Sequence, residues 1–121
     1  MATLFAALRT VAGLSLEAAA AYLKVRPGTV TDWNSGRRMP PPDIVWTLRD
    51  LIYKQQLIAK RLVERVPFEE IEDHLRENDA EAQEDGFPTA LSANIPIALA
   101  WVEWSIRRAG TTYGKPVAND E

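Results

Sequence analysis

The segment from Leu14 to Pro40 places the tightest constraint on what this chain can fold into. It holds the local signals of two short helices separated by a sharp turn. Ser15 can cap the first helix, because its hydroxyl accepts a hydrogen bond from a backbone N–H that the helix leaves unpaired. Pro27 suits the first position of the second helix, and Gly36 suits its end. The run Ala18–Ala21 is helix-forming and narrow, so another helix can cross it closely.

The second of these helices has two unlike faces. Apolar residues on its back and on its neighbours predict a buried side, formed by Leu14, Leu23, Val25, Val30 and Trp33. Trp33 is accordingly expected in the core and not at a binding surface. Small and polar residues remain for the front, namely Arg26, Gly28, Thr29, Thr31, Asp32, Asn34 and Ser35.

The rest of the chain is predicted to be mainly helical. A first helix from Leu4 ends near Gly13, and a long helix capped by Asp43 ends at Val66, because a proline follows. The later elements are a short acidic helix over 68–77 with Phe68, Ile71 and Leu75 inward, a loop over 78–88, a short strand or irregular segment over 91–97, a helix over 97–109 and a flexible tail over 110–121.

Charge is distributed unevenly along the chain. Residues 1–65 hold ten Lys or Arg against five Asp or Glu, whereas residues 66–121 hold four against twelve. The net charge of −3 therefore averages a basic half and an acidic half. This asymmetry indicates a basic binding surface, with chance segregation onto solvated helix faces as the alternative.

Composition disfavours an enzyme. The chain has no cysteine and a single histidine, His74, so no thiolate metal site, cysteine nucleophile or disulfide is available. The carboxylates of Glu69–Asp73 are interpreted as a solvated acidic face, not as a general acid and base. We therefore expect no catalytic residue, no metal and no cofactor. No apolar stretch reaches the roughly 20 residues of a membrane span, and the N-terminus lacks a signal-peptide pattern, so we expect a soluble cytoplasmic protein.

The first half of the chain resembles a known family. It is similar to the helix-turn-helix of the Cro/cI repressor family, also called the xenobiotic-response-element type, at Leu14-Ser15, Glu17, Ala20, Leu23, Val25, Thr29-Val30, Trp33, Gly36, Arg38 and Pro40. The resemblance covers residues 4–65. It implies a five-helix lambda-repressor-like DNA-binding domain over 1–66, with a small, mostly helical dimerisation region over 67–109.

The resemblance also implies a function. Members of this family are sequence-specific transcriptional regulators, so a homodimeric repressor is expected, binding an inverted repeat of double-stranded DNA through the major groove. The alternative is an antitoxin or another protein-binding module on the same fold, with a toxin protein as partner. The layout after residue 66 is similar, more weakly, to small phage-associated repressors found beside anti-CRISPR genes.

The residues at the positions that contact bases in this family, and the residue at its turn, differ from the usual family pattern. Its base-reading positions fall on Pro27, Gly28 and Asp32, of which the first two offer no side-chain donor, while Asp32 can accept from a cytosine amino group. Lys24 stands where the family usually has a turn glycine. It must adopt a left-handed backbone, at about 1 kcal/mol, or the turn must differ.

Phosphate contacts are expected from Arg26, Arg37 and Arg38, which flank the second helix. The N-terminus of the Ser15 helix can also point N–H groups at a phosphate. Specificity would then lean on thymine methyl contacts, on Asn34 and Arg26, or on DNA shape. The full set of DNA-binding residues predicted in this way is Arg26, Pro27, Gly28, Thr29, Thr31, Asp32, Asn34, Ser35, Arg37 and Arg38.

Large aromatic residues in the later helices exceed what a small core must hold. Some of them are expected at a homodimer interface, namely Trp46, Tyr53, Trp101 and Trp104. For Trp101 and Trp104 the alternative is an intramolecular core that joins the two halves.

Overall fold

The computed structural model describes residues 2–108, and these form seven helices and no strand. In chain order they are α1 (Leu4–Ala12), α2 (Leu16–Leu23), α3 (Pro27–Ser35), α4 (Pro42–Arg65), a 3₁₀ helix named η1 (Phe68–His74), α5 (Asp79–Glu84) and α6 (Ala90–Arg107). The mainly helical fold class is confirmed. Within this range no single helix is both long and apolar enough to cross a membrane. The tail predicted over 110–121 and the helix end predicted at 109 lie outside the described residues.

Local signals set the ends of the first three helices, as predicted. The Ser15 hydroxyl accepts from the backbone N–H of Ala18 at 3.0 Å, and Pro27 is the first residue of α3. Gly13 and Gly36 end α1 and α3 in the left-handed conformation. Lys24 ends α2 in that conformation as well, with φ 60°, and within residues 2–108 it is the only non-glycine residue with a positive φ. Of the two expectations for this turn, the left-handed backbone at Lys24 is the one observed.

The start of α4 corrects one prediction. The N-cap is Pro41 and not Asp43, which lies in the first turn. Proline at position 42 has a φ already suited to the first helical position, and it forces the preceding Pro41 to be extended. The carboxylate of Asp43 nevertheless lies at the positive end of the helix dipole.

The acidic region also differs from prediction. The helix expected over 68–77 is a 3₁₀ helix that ends at His74, and although Ile71 is buried, Leu75 is 41% exposed and does not point inward. The predicted loop over 78–88 contains α5, because the Asn78 side chain caps it by accepting from the N–H of Glu81. The Glu81 carboxylate in turn accepts from the N–H of Glu77.

Helix α6 overturns the strand or irregular segment expected over 91–97. The Thr89 hydroxyl caps it by accepting from the N–H of Ser92, and the helix continues through Pro96. A proline has no N–H, so the carbonyl four residues earlier, that of Ser92, loses its intrahelical donor. Such a break normally ends or kinks a helix at a cost of about 3 kcal/mol.

Gln55 supplies the missing donor. This residue of α4 is 1% exposed, and its Nε2 donates to the Ser92 carbonyl at 2.9 Å. The same nitrogen donates to the carbonyl of Ala12 at 3.1 Å, at the end of α1, where helix carbonyls are unpaired. One buried amide therefore satisfies two carbonyls left without backbone partners and joins α1, α4 and α6.

The turn after α1 fits closely against α6. A Cβ added at Gly13 would lie 2.6 Å from Cδ1 of Ile95 and 3.2 Å from Cα of Ser92. Glycine is required here both for its positive φ and for this close approach. The contact places the N-terminal half of α6 directly beside the α1–α2 turn.

Two hydrophobic clusters build the core. The first contains buried residues of α1 to α4 together with Ala82, Phe87 and Ala93, so it draws on both sides of the boundary predicted at position 66. The second lies between α4, η1 and α6, around Ile71 and Ile97, and Ile58 packs against both. Leu14, Leu23, Val30 and Trp33 are buried as predicted, and Val25 packs against them.

We expect Gln55→Met to lower the free energy of unfolding by about 1–2 kcal/mol, because two buried carbonyls lose their donor while removal of the unpaired Oε1 of Gln55 offsets part of that cost. The Ser92 carbonyl depends on Gln55 only because residue 96 is a proline. The same substitution should therefore cost about 1 kcal/mol less in a Pro96→Ala background, where the helix supplies an N–H again. Urea unfolding at one protein concentration measures all four chains of this cycle.

Arg61→Met is the control, because Arg61 is exposed on the same helix and its replacement should change stability by less than about 0.5 kcal/mol. An equal cost of Gln55→Met in both backgrounds would contradict the role assigned to this amide.

Candidate nucleic-acid interface

The inner face of helix α3 packs against the core. Val30 is fully buried, and the ring of Trp33 meets that of Phe5 edge-on, with 5.6 Å between centroids. This confirms the prediction that Trp33 belongs to the core. The packing fixes α3 against α1 and α2, so the outward side of α3 has a defined orientation.

The C-terminal end of α3 is also tied to α1, through Asn34. The Nε of Arg9 donates to Oδ1 of Asn34 at 3.1 Å, and the hydroxyl of Thr3 donates to the Asn34 carbonyl at 3.0 Å. Arg9 donates further to the carbonyl of Leu14 at 2.7 Å. Within residues 2–108, Nδ2 of Asn34 makes no hydrogen bond, so this nitrogen keeps its donors for another molecule.

The outward side of α3 contains the predicted front residues. Arg26, Pro27, Gly28, Thr31, Ser35, Arg37 and Arg38 are exposed, and Thr29, Asp32 and Asn34 are half-buried. The hydroxyls of Thr31 and Ser35 donate to the carbonyls of Pro27 and Asp32 within the helix. Their oxygens can still accept, and the Thr31 methyl group stays on the exposed side.

Asp32 is paired with Arg38. The two side chains approach to 3.6 Å, and the N–H of Arg38 donates to the Asp32 carbonyl at 3.2 Å. The Arg38 side chain remains 61% exposed. The carboxylate therefore offsets part of the positive charge at this end of α3 while it holds the arginine beside the helix.

Basic side chains lie at both ends of α3. Arg26 is the residue before its first turn, with an extended backbone and a carbonyl that accepts from Thr29 and Val30. Arg37 and Arg38 follow its last residue, and all three arginines are exposed. The nine residues of α3 span about 13 Å, which sets the approximate distance between the two basic groups.

The N-terminus of α2 is less favourable for an anion than the sequence suggested. Glu17 of the same helix and Asp79 of α5 line one surface depression together with Ser15. Two carboxylates beside this helix end would repel a phosphate. The sequence did not predict that Asp79 lies near α2, because residues 78–88 were expected to form a loop with no defined position.

The aromatic residues predicted for a dimer interface lie in two different places. Trp46 and Tyr53 are on α4 and are 52% and 59% exposed. Trp101 and Trp104 are half-buried and face Phe68 of η1, with centroid distances of 5.5 and 6.2 Å. Nε1 of Trp104 also donates to the carbonyl of Val66 at the end of α4. For these two tryptophans the contacts favour the intramolecular alternative.

Within residues 2–108, two side chains have displaced pKa values, and neither is on the outward side of α3. Burial, with a smaller contribution from the charge of Asp50, raises the pKa of Tyr22 on α2. A backbone hydrogen bond and a hydrogen bond from Arg108 lower the pKa of Glu69 on η1.

Sequence reasoning did not single out Thr3 and Arg9, which position the end of α3. A weak signal was available for Arg9, because it is the only charged residue in the otherwise apolar or neutral α1. Its partner Asn34 is 25 residues away, and no local pattern connects the two.

No protein-family model, curated protein or solved structure matches this chain. Within residues 2–108 there is also no group of three or more His, Asp or Glu residues placed to hold a metal ion.

Proposed function

We propose that this chain is a DNA-binding transcriptional regulator, a homodimeric repressor that places α3 of each subunit in the major groove of an inverted repeat. In this proposal α2 and α3 are the helix-turn-helix of a lambda-repressor-like domain. The observation that carries it is the outward side of α3. That side is polar and bounded by arginines at both ends, and buried Val30 and Trp33 hold the helix from behind.

The dimensions of α3 suit this role. A major groove is about 12 Å wide and admits one α-helix, and the strands on either side carry the phosphates. The diameter of a helix with its side chains, about 10–12 Å, is similar to that width. With α3 in the groove, Arg26 and the Arg37–Arg38 pair would reach phosphates near the two ends of the helix. Most of the affinity would then be electrostatic and dependent on salt.

Few side chains on α3 are suited to reading bases. Asn34 has free Nδ2 donors, and its orientation is set by Arg9, so it can donate to a base-edge acceptor. The methyl groups of Thr29 and Thr31 can contact thymine. Pro27 and Gly28 allow close approach but supply no donor, so DNA shape would contribute a large share of specificity.

A second candidate function is a protein-binding module, such as an antitoxin. The exposed carboxylates of η1 and α5 favour it, because they form an acidic surface that a basic partner would complement. Several of these carboxylates are already paired, including Glu69 with Arg108 and Asp85 with Arg76. DNA binding is therefore the better supported of the two.

Replacing Arg26 and Arg38 together by alanine should weaken binding to every duplex by at least tenfold at about 0.1 M salt. Each lost phosphate contact should also make the log–log salt dependence shallower by about 0.9. Fluorescence anisotropy over a salt series, with both selected and unrelated duplexes, measures the two effects.

The matched control removes two exposed arginines from α4, as Arg61→Ala with Arg65→Ala, and should change affinity by less than about threefold. If both double variants bind alike, α3 is not the DNA-binding element.

Asp32→Asn should tighten binding to all duplexes by about three- to tenfold, because it removes a carboxylate near the phosphates and releases Arg38. The same anisotropy assay measures this gain, with Asp50→Asn on α4 as the control that should change little. Weaker binding that is confined to particular sequences would contradict repulsion. It would indicate that Asp32 reads a cytosine amino group instead.

A further inference from the structure

Helix α6 carries an apolar stripe on the side opposite its buried face. The stripe consists of Leu91, Ile95, Leu99, Val102 and Ile106, which recur every three or four residues and so share one helix face. The exposed fractions of Leu91, Leu99, Val102 and Ile106 are 63%, 50%, 48% and 51%. The opposite face, with Ala93, Ile97 and Ala100, is buried. Helix α6 is thus apolar on both sides. In the single chain most of the stripe is exposed, and Ile95 is half-buried against Gly13 of the α1–α2 turn.

This α6 stripe borders a groove on α4. Leu99, Val102 and Ile106 form one wall of the groove, Ala59 and Val63 of α4 lie on the other side, and the volume is about 480 Å³. Gln56 continues the surface toward Tyr53, which is 59% exposed. An exposed apolar surface that spans two helices marks an interaction site more often than a free surface.

The rim of the groove carries no net charge. Lys60 and Glu64 project from α4, and Glu103 and Arg107 project from α6, where they pair at 2.9 Å. DNA or an anionic membrane would require an excess of basic side chains here, and a strongly charged protein partner would require the opposite excess. A balanced rim suits contact with an identical surface, because two copies meet without charge repulsion.

The order of residues along the stripe is also suited to self-pairing. When two copies of α6 are placed antiparallel about a two-fold axis near Leu99, Leu91 of one copy lies opposite Ile106 of the other. Ile95 then lies opposite Val102, and Leu99 meets its own counterpart. Each of these pairs thus occurs twice, as a contact between identical surfaces requires.

The size of the surface is near the lower limit for a stable dimer. From Leu91 to Ile106 the stripe is about 22 Å long, at 1.5 Å per residue. With α4 beside α6 the face is about 20 Å wide, which gives about 440 Å² in projection. The accessible area of protruding side chains exceeds the projection. It approaches the 600 Å² or so per partner at the lower limit of stable interfaces.

We propose that the α6 stripe and the adjacent α4 groove form a homodimer interface, and that its occupant is a second copy of this chain. This inference deepens the proposed function and rests on it in one respect, since a two-fold axis matches an inverted repeat. It moves the interface away from Trp101 and Trp104, which pack against Phe68. It places Tyr53 near the edge of the contact.

Sedimentation equilibrium of the whole chain at micromolar concentration tests the proposal. The wild-type chain should have twice the single-chain mass of 13.5 kDa. Leu99→Glu with Val102→Glu should raise the dimer dissociation constant at least 100-fold, so that the single-chain mass is found, with an unchanged helical circular dichroism spectrum. Leu75→Glu is the control, because Leu75 is also an exposed leucine but lies at the end of η1, and this variant should stay dimeric. A monomeric wild-type chain would overturn the proposal.

Cysteine cross-linking keeps the test decisive if the double glutamate variant fails to fold. The chain has no cysteine of its own, so Leu99→Cys introduces one thiol per copy, close to the proposed axis. Mild oxidation should yield a covalent dimer, because residues that meet at a helix crossing can reach the separation that a disulfide needs. Leu75→Cys should remain uncross-linked under the same conditions. Equal cross-linking at both positions would count against the interface.

The interface and the DNA-binding function fail in distinguishable ways. The Leu99→Glu, Val102→Glu variant should still bind a single half-site and lose only the extra affinity of the inverted repeat. The Arg26→Ala, Arg38→Ala variant should keep the dimer mass. A dimeric wild-type chain without DNA affinity would refute the function alone, and a monomer that binds DNA would refute the interface alone.

Discussion

The buried amide of Gln55 is the contact on which the arrangement of this chain depends. Two backbone carbonyls, at the end of α1 and within α6, would otherwise lie in the core without a donor. Unpaired buried carbonyls are costly, so the amide fixes where both helices lie against α4. Gly13 then lets the α1–α2 turn approach α6 closely. The hydrogen bonds of Gln55 and the close approach at Gly13 thus help to set where α2 and α3 lie relative to α4 and α6.

Local chemistry made the first half of the fold predictable. Ser15, Pro27 and Gly36 each act within one turn of their own position, so the ends of α2 and α3 could be inferred from neighbouring residues. The second half could not be inferred in this way. Pro96 argues against a helix on local grounds. The donor that compensates for its missing N–H is Gln55, which is 37 residues from the Ser92 carbonyl that accepts from it. The missed helix α5 had a capping asparagine, but its acidic composition suggested a loop.

The candidate site likewise combines features that the local sequence predicts with features that depend on contacts distant in the chain. The arginines and the polar front of α3 were visible in the sequence, because helical spacing decides which residues share a face. Two properties of the site come from contacts over longer distances in the chain. Arg9 orients the amide of Asn34, and Asp79 of α5 lies beside the end of α2. The contact with Arg9 leaves the Nδ2 group of Asn34 available to donate to a base. The carboxylate of Asp79 disfavours a phosphate near Ser15. Binding of DNA in this account depends more on charge and groove shape than on base contacts.

Selection of bound duplexes from a random pool tests the central claim most directly. The purified chain is mixed with the pool at moderate salt, and the retained DNA is sequenced over several rounds. We expect enrichment of an inverted repeat whose half-sites lie about one helical turn apart, with few strongly fixed base pairs in each half-site. A retained pool that matches the input in sequence would contradict it.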